Sequence, residues 1–373
     1  MTTKLAIFVS FSGDGGVERV MANLCQGFLD RGFAVDLLLV KALGPHLSAI
    51  PQGVNVIKLG SSHTALCLLP LIRYLRRERP PALLAAKNRG NRFAVLARML
   101  SGVSTRIVIR MDTHLSKALE RSGPVRRLSY YLPMRWLYPK ADALVAVSQG
   151  VADDTAKIIG VPPEWITLIH NPVITADLDA QAAQPVEHPF LSSKALPVLV
   201  GSGRFTRQKD FPTLLRAFAR VRAVTPCRLL ILGDGKREER EQLEALVAQL
   251  GVADDVSMPG FVPNPYAYIA KCDLFVLSSI WEGSPTVLTE ALALGVPVVA
   301  TDCPSGPMEI TQNGRYGRLV PMEDPEALAQ AIVAALAETH DPAALRAAVA
   351  DYTVAASADG HLRAMGFPPA VGP

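Results

Sequence analysis

At 373 residues the chain is long enough for two ordinary cores, and with 49% hydrophobic and 19% charged residues it cannot be an intrinsically disordered polymer. A formal net charge of +4 hides a split: 22 Lys+Arg against 11 Asp+Glu through Pro172, net +11, then 16 against 23 beyond it, net −7. The five cysteines (Cys25, Cys67, Cys227, Cys272, Cys303) are scattered with no C-x-x-C pair, which argues against a zinc site or disulfide framework and for reduced thiols in a cytosolic protein.

The apolar run at 5–9 is too short for a signal peptide, ends at Ser10, and has no small-residue cleavage site after it. Residues 64–72, the longest apolar candidate span, reach about half the length needed to cross a bilayer. A cytoplasmic protein is therefore expected, without a transmembrane segment. Strand-like runs at 5–9, 34–40, 82–85, 106–110, 143–147 and 166–169 alternate with helix-like stretches, the pattern of a parallel sheet covered by helices on both faces.

The first of these strands runs into Ser12-Gly13-Asp14-Gly15-Gly16-Val17-Glu18, where Gly15 and Gly16 let backbone approach a ligand or simply form a tight turn. Glu18 stands where the last glycine of G-x-G-x-x-G belongs, so a nicotinamide cofactor is disfavoured. Lys87, Asn88, Arg89, Asn91 and Arg92 gather at another strand end, suited to an anionic acceptor, and Arg110-Met111-Asp112-Thr113-His114 follows the next. Residues 121–140 interleave Arg126, Arg127, Arg135 and Lys140 with Tyr130, Tyr131, Trp136 and Tyr138. That mixture suits a lipid interface, or equally a basic surface helix with an aromatic core face. No nucleic-acid-binding signature accompanies the basic half.

Residues 170–195 break the alternation with His170-Asn171-Pro172 and polar, Pro-containing sequence, and are expected to link two domains. Strands resume at 198–201, 228–232, 255–258, 273–277 and 296–300, and 325–345 and 352–365 are Ala-rich and helical. The first of these strands leads into Gly201-Ser202-Gly203-Arg204-Phe205-Thr206-Arg207-Gln208-Lys209. There Arg204 can bind two phosphate oxygens at once and Lys209 adds a point charge, a pair able to neutralise a leaving diphosphate. Arg207 has no such role and is expected at the surface. Gly233-Asp234-Gly235 and Gly260-Phe261-Val262-Pro263 end further strands, with Phe261 either a ligand contact or a packing residue. Thr301-Asp302-Cys303-Pro304-Ser305-Gly306 is another strand-to-helix turn, read equally as functional or structural.

Between two strands stands Glu282-Gly283-Ser284-Pro285-Thr286-Val287-Leu288-Thr289-Glu290. Pro285 suits the first turn of a helix, whose free N–H groups and dipole would hold an anion, while the two carboxylates suit sugar or ribose hydroxyls. Strand, turn, helix and paired carboxylates together point to a nucleotide-sugar.

Glu, seven residues and Glu, followed by Ala-Leu-Ala-Leu-Gly-Val-Pro-Val-Val-Ala-Thr-Asp, resembles the donor signature of the retaining glycosyltransferases of the fourth sequence family (glycosyl transferases group 1). The likeness covers most of 197–340 and, more weakly, 4–172. It implies an α/β GT-B fold of two Rossmann-like domains facing a central cleft. The expected division is an acceptor-binding domain at 1–172, a nucleotide-sugar donor domain at 173–352, and a C-terminal segment at 353–373 crossing back to the first domain.

In the resembled family the Arg and Lys matching Arg204 and Lys209 neutralise the diphosphate, and the residue matching Glu282 meets the donor sugar. That assigns Arg204, Lys209 and Glu282 to catalysis. Gly15, Gly16, Gly203, Gly233, Phe261, Val262, Gly283, Ser284, Pro285, Thr286, Val287 and Glu290 are assigned to the donor, Glu290 through the ribose. Many members carry a His just after the strand matching 106–110; Met111 stands there in this chain, and His114 is the candidate substitute. Lys87, Arg89, Arg110 and His114 are the candidate acceptor residues.

The implied activity is metal-independent, cofactor-free retaining transfer from a nucleoside-diphosphate sugar, UDP favoured over GDP. The acceptor expected is a lipid-linked or membrane-anchored glycan in bacterial surface polysaccharide synthesis, such as lipopolysaccharide, with an anionic membrane surface as a further partner. The alternatives are another GT-B activity, a nucleotide-sugar epimerase or phosphorylase, or a catalytically silent nucleotide-sugar-binding protein.

Overall fold

The computed structural model describes residues 2–12, 15–44, 47–60, 63–192 and 195–368. The chain divides into two units, Met1–Val173 with Asp351–Pro373, and Ile174–Ala350.

The first unit holds a parallel sheet of β1 (Lys4–Ser12), β2 (Ala34–Leu43), β3 (Asn55–Lys58), β4 (Ala82–Ala86), β5 (Arg106–Met111), β6 (Ala143–Ala146) and β7 (Ile166–Leu168). Their spatial order is β3-β2-β1-β4-β5-β6-β7. The central strands are apolar without alternation because helices cover both faces: all of β4, Ala-Leu-Leu-Ala-Ala, is buried. One core lies on each side, around Phe8, Leu71 and Ile109 on one and Phe11, Met21 and Phe28 on the other. The helix Val354–Ala364 completes the second core with Ala358 and Leu362, and an Arg31–Asp359 ion pair ties it to the end of the helix Gly16–Leu29.

The second unit repeats the plan with β8 (Val198–Ser202), β9 (Arg228–Leu232), β10 (Val256–Gly260), β11 (Leu274–Leu277), β12 (Val298–Thr301) and β13 (Arg318–Val320), ordered β10-β9-β8-β11-β12-β13. Its core gathers Leu214, Phe218, Ile231, Val276 and Ile332. Residues 170–195 are not featureless. They hold the short helices Leu178–Ala182 and Pro189–Ser192, both within the second unit.

Sequence reading misses β3 and β13. The first is a largely exposed edge strand and the second has three residues, so neither writes an apolar run into the chain. Strand order matters for function. In each sheet the order reverses at one point, between β1 and β4 and between β8 and β11. The crevice outside the carboxyl ends of strands at such a reversal is where open α/β sheets bind ligands.

Candidate active site

The loops leaving β8 and β11 flank the reversal in the second unit, and they carry most of the predicted donor residues. The loop after β8 is drawn against the others by backbone bonds. Ile280 N donates to Gln208 O at 2.8 Å, and Ser278 Oγ to Lys209 O at 2.7 Å. On the other side Phe205 N donates to Asp234 O at 2.8 Å, and Gly233 N to Gly260 O at 2.9 Å. Gly233 has φ +126, and a Cβ there would lie 2.1 Å from the Gly203 carbonyl oxygen, so only glycine fits. Arg204 is exposed, and its guanidinium has no partner among the described residues. Arg207 is exposed as expected and lies over the Trp281 ring at 5.4 Å. Phe261 is 41% exposed and therefore is not a core packing residue; Val262 beside it is half-buried.

Lys209 and Glu282 meet directly. Lys209 Nζ lies 2.6 Å from Glu282 Oε1, with the two side chains 16% and 8% exposed. Glu282 also accepts from Ser279 Oγ at 2.7 Å and from Gln208 Nε2 at 3.2 Å. A carboxylate buried this far is tolerable because it is paired and hydrogen-bonded. One proton of the Lys209 ammonium is thus committed, which leaves two for a phosphate. Cys303 lies close enough that the Glu282 charge joins burial in pushing its thiol well above the ordinary range.

After Glu282 the chain turns through Gly283 and Ser284 into the helix Thr286–Ala293. Pro285 is not in the first turn, as its sequence context predicts, but at the capping position before it, with φ −67 and ψ 104. Its carbonyl is needed there: Leu288 N and Thr289 N both donate to Pro285 O, at 3.1 and 3.3 Å. The N–H groups of Thr286 and Val287 are then the ones left without an intrahelical acceptor. Glu290 is 1% exposed, one turn further in. The turn after β12 closes over this segment: Glu282 N donates to Pro304 O at 3.3 Å, and a Cβ on Gly306, φ +99, would lie 2.4 Å from Pro285 Cδ. That turn, read equally either way from sequence, at minimum supports the Glu282–Pro285 backbone.

In the first unit the candidates spread apart. Gly13 and Asp14 lie outside the described residues; Gly15 and Gly16 open the helix Gly16–Leu29 after β1. Lys87 follows β4 across the reversal, but its ammonium bonds Glu18 Oε1 and Ser10 O, both at 2.7 Å. Arg110 is 1% exposed, its guanidinium bound to Asp112 and Asn171. Assigning Arg110 to an acceptor surface is corrected here: it is an internal cation. Burial pushes the guanidinium below its ordinary range, with Asp112 opposing. His114 caps the helix Leu115–Ala118, with Nδ1 3.4 Å from Lys117 N and 3.6 Å from Asp154 Oδ2. Arg89 alone of the four is exposed and without a partner among the described residues.

Sequence reasoning missed Gln208 and Ser279, which hold Glu282, and Glu18, which holds Lys87. Glu18 was visible only as the residue that spoils a glycine motif; Gln208 and Ser279 gave no signal. Among the described residues no group of three or more His, Cys, Asp or Glu is placed to hold a metal ion. Among the described residues no helix is long and apolar enough to cross a membrane.

Two family models match in tandem: Glycosyltransferase Family 4 over residues 14–177 and Glycosyl transferases group 1 over 196–338. A Campylobacter jejuni protein named as an N-acetylgalactosamine-N,N'-diacetylbacillosaminyl-diphospho-undecaprenol 4-alpha-N-acetylgalactosaminyltransferase is 30% identical, over 88% of this chain and 89% of its own. Among solved structures, the lipopolysaccharide outer core galactosyltransferase WaaB superposes with a TM-score of 0.72 at 20% identity, over 98% of this chain and 99% of its own. Anabaena HepE in complex with UDP-glucose does so at 0.71 and 19%, over 98% and 95%. These structures share the α/β GT-B fold, with two Rossmann-like parallel sheets, and so does this chain.

Proposed function

This chain belongs to the glycosyltransferases of the fourth sequence family, and we propose that it moves a sugar from a UDP-sugar, with retention and without a metal ion, to a lipid-linked glycan of a cell-surface polysaccharide. The observation that carries the reading is the Lys209–Glu282 pair beside the open N–H groups of Thr286 and Val287, at the reversal of the second sheet. The second unit takes the donor. Arg204, the remaining protons of Lys209 and the helix start stabilise charge on the departing diphosphate, work that a divalent cation would otherwise do. Glu282, held by three donors, presents its remaining lone pairs to hydroxyls of the sugar. Glu290 accepts from the ribose.

Attack comes from the face the diphosphate leaves. A C–O bond forms to the acceptor hydroxyl as the anomeric C–O bond to phosphate breaks, and the departing phosphate takes the hydroxyl proton. No carboxylate nucleophile is needed. The UDP-glucose complex of HepE supports a UDP-linked donor, and the undecaprenyl diphosphate in the Campylobacter name supports a lipid-linked acceptor.

The first unit takes the acceptor at a cytoplasmic membrane face. Its helix Pro124–Leu137 leaves Val125, Leu128, Leu132 and Trp136 between 58% and 82% exposed beside Arg126 and Arg135, a surface suited to anionic lipid. Thermal-shift screening against nucleotide-sugars, followed by hydrolysis of the stabilising one in excess EDTA without acceptor, tests the donor chemistry. Stabilisation by a UDP-sugar with slow hydrolysis is expected. Stabilisation with no hydrolysis or transfer would mean a binding protein, and activity that EDTA abolishes and Mg²⁺ or Mn²⁺ restores would remove Arg204 and Lys209 from the leaving-group role.

A further inference from the structure

The first unit contains an apolar cavity of about 440 Å³ that none of the chemistry above uses. Phe93, Leu96, Pro133 and Leu137 line it together with two guanidiniums, Arg89 and Arg92, and no carboxylate is among its lining residues. Arg89 is exposed and unpaired among the described residues. Arg92 is half-buried: Nη1 reaches Ser129 O at 3.3 Å, the guanidinium lies 5.5 Å from the Tyr130 ring centre, and the buried Nε–H has no acceptor. Burial pushes Arg92 below the ordinary range, Tyr138 and Tyr130 oppose that, and repulsion from Arg89 adds to it. Two neighbouring cations without a counter-charge, one with a buried donor unsatisfied, make a site short of an anion. The apolar floor beneath them is short of a hydrocarbon. Exposed Leu66 follows the lining residue Ala65, and exposed Leu132 and Trp136 precede the lining residues Pro133 and Leu137 on the helix Pro124–Leu137.

We propose that this cavity seats the first isoprenoid or acyl units of a lipid phosphate, with Arg89 and Arg92 on its phosphate, so that the lipid of the acceptor and not only its glycan is recognised by the first unit. The inference rests on the lipid-linked acceptor proposed above and adds the place where its lipid is held. A free inorganic phosphate would have no use for the apolar floor, and a bilayer face would need no recess. Leu96 belongs to the apolar lining and Arg89 to the charged part of it, so the contacts to the two halves of the ligand can be altered separately.

The test is calorimetric titration of the full chain with farnesyl diphosphate below its micellar concentration, and separately with inorganic pyrophosphate. Both are run in saturating UDP so that the diphosphate site of the second unit is filled. Farnesyl diphosphate is expected to bind at least tenfold more tightly than pyrophosphate. Arg89→Glu should weaken both at least tenfold. Leu96→Trp should weaken farnesyl diphosphate about tenfold and leave pyrophosphate unchanged, with the melting temperature of each variant read in parallel; Arg89, being exposed, keeps the test alive should the Trp variant misfold. Equal affinity for the two ligands, no binding of either, or binding that neither variant alters would overturn the proposal. UDP-sugar hydrolysis is measured separately on the same protein preparations, without added UDP. Hydrolysis without farnesyl diphosphate binding rejects the cavity and leaves the transferase reading standing, whereas binding with neither hydrolysis nor transfer supports the cavity and rejects that reading.

Discussion

The two units are built alike, each a parallel sheet with one reversal of strand order, yet they use their charged residues in opposite ways. In the second unit the loops at the reversal carry Arg204, Lys209, Glu282 and the start of the helix Thr286–Ala293; Lys209 and Glu282 pair, and Arg204 is exposed with no partner among the described residues. In the first unit, which carries the positive excess, two of the four predicted acceptor residues are spent internally. Lys87 ties the end of β1 to Glu18, and Arg110 is buried on Asp112 and Asn171. A third, His114, caps a helix. A surplus of cations in a domain is thus no count of the cations that a ligand can meet. The fourth, Arg89, lines an apolar cavity together with Arg92.

The contrast breaks most directly at Lys209 and Arg204. Removing one donor to developing charge costs about 10²–10³ in turnover, so Lys209→Ala and Arg204→Ala should each lower kcat by roughly that factor. Only Lys209→Ala strands a buried carboxylate, and it should also cost about 3–5 kcal/mol of stability, while exposed Arg204 should cost less than about 0.5 kcal/mol. Steady-state kinetics with urea midpoints reads both; equal stability loss in the two variants would mean the pair is not as buried as described. Next comes Glu290→Ala. A hydrogen bond to a charged group contributes about 1.5–3 kcal/mol, so affinity for UDP should fall roughly ten- to hundredfold by calorimetry. Unchanged affinity in a folded variant would take Glu290 out of the ribose site.

The third prediction concerns the buried charges of the first unit. His361 is fully buried with Nδ1–H donating to Ser357 O, and burial together with Arg110 pushes its pKa down to about 3 from 6.5. A base held neutral in the fold gives its full contribution above 6.5. As pH falls from there toward 3 the unfolded chain binds a proton that the folded chain refuses. Stability should then decline by up to about 1.4 kcal/mol per pH unit across that window. His361→Gln should flatten the decline, and urea unfolding at pH 7, 6 and 5 measures it. An identical acid slope in variant and parent would show that His361 titrates freely.

The smallest effect is expected at the helix Pro124–Leu137. Arg127 is partly spent on the Leu119 and Glu120 carbonyls, so Arg126 is the cleaner probe. Arg126→Gln should lower recovery on anionic vesicles about fivefold, near 1 kcal/mol, and leave UDP binding and stability unchanged. Flotation of parent protein equally with neutral and anionic vesicles, or with neither, would reject the membrane surface.

The alternation of strands and helices and the strand-turn-helix at 282–290 were legible because each is local. A fully buried parallel strand must be an unbroken apolar run, and the 282–290 segment carries its turn, helix start and carboxylates within nine consecutive residues. The errors have physical causes as well. Edge strands β3 and β13 escape because exposed or very short strands need no apolar pattern. Pro285 was placed one position late because proline is equally comfortable before a helix and within its first turn.

What the sequence alone determined, then, was the parallel α/β class, the family and the donor signature, since burial periodicity and one continuous motif are written in neighbouring residues. Partnership was decided only by tertiary structure. Whether a cation meets a ligand or a carboxylate depends on residues tens of positions away: Lys209 on Glu282, Lys87 on Glu18, Arg110 on Asn171. A charge is free or spent according to what the fold brings within about 4 Å of it, and linear spacing carries no record of that distance.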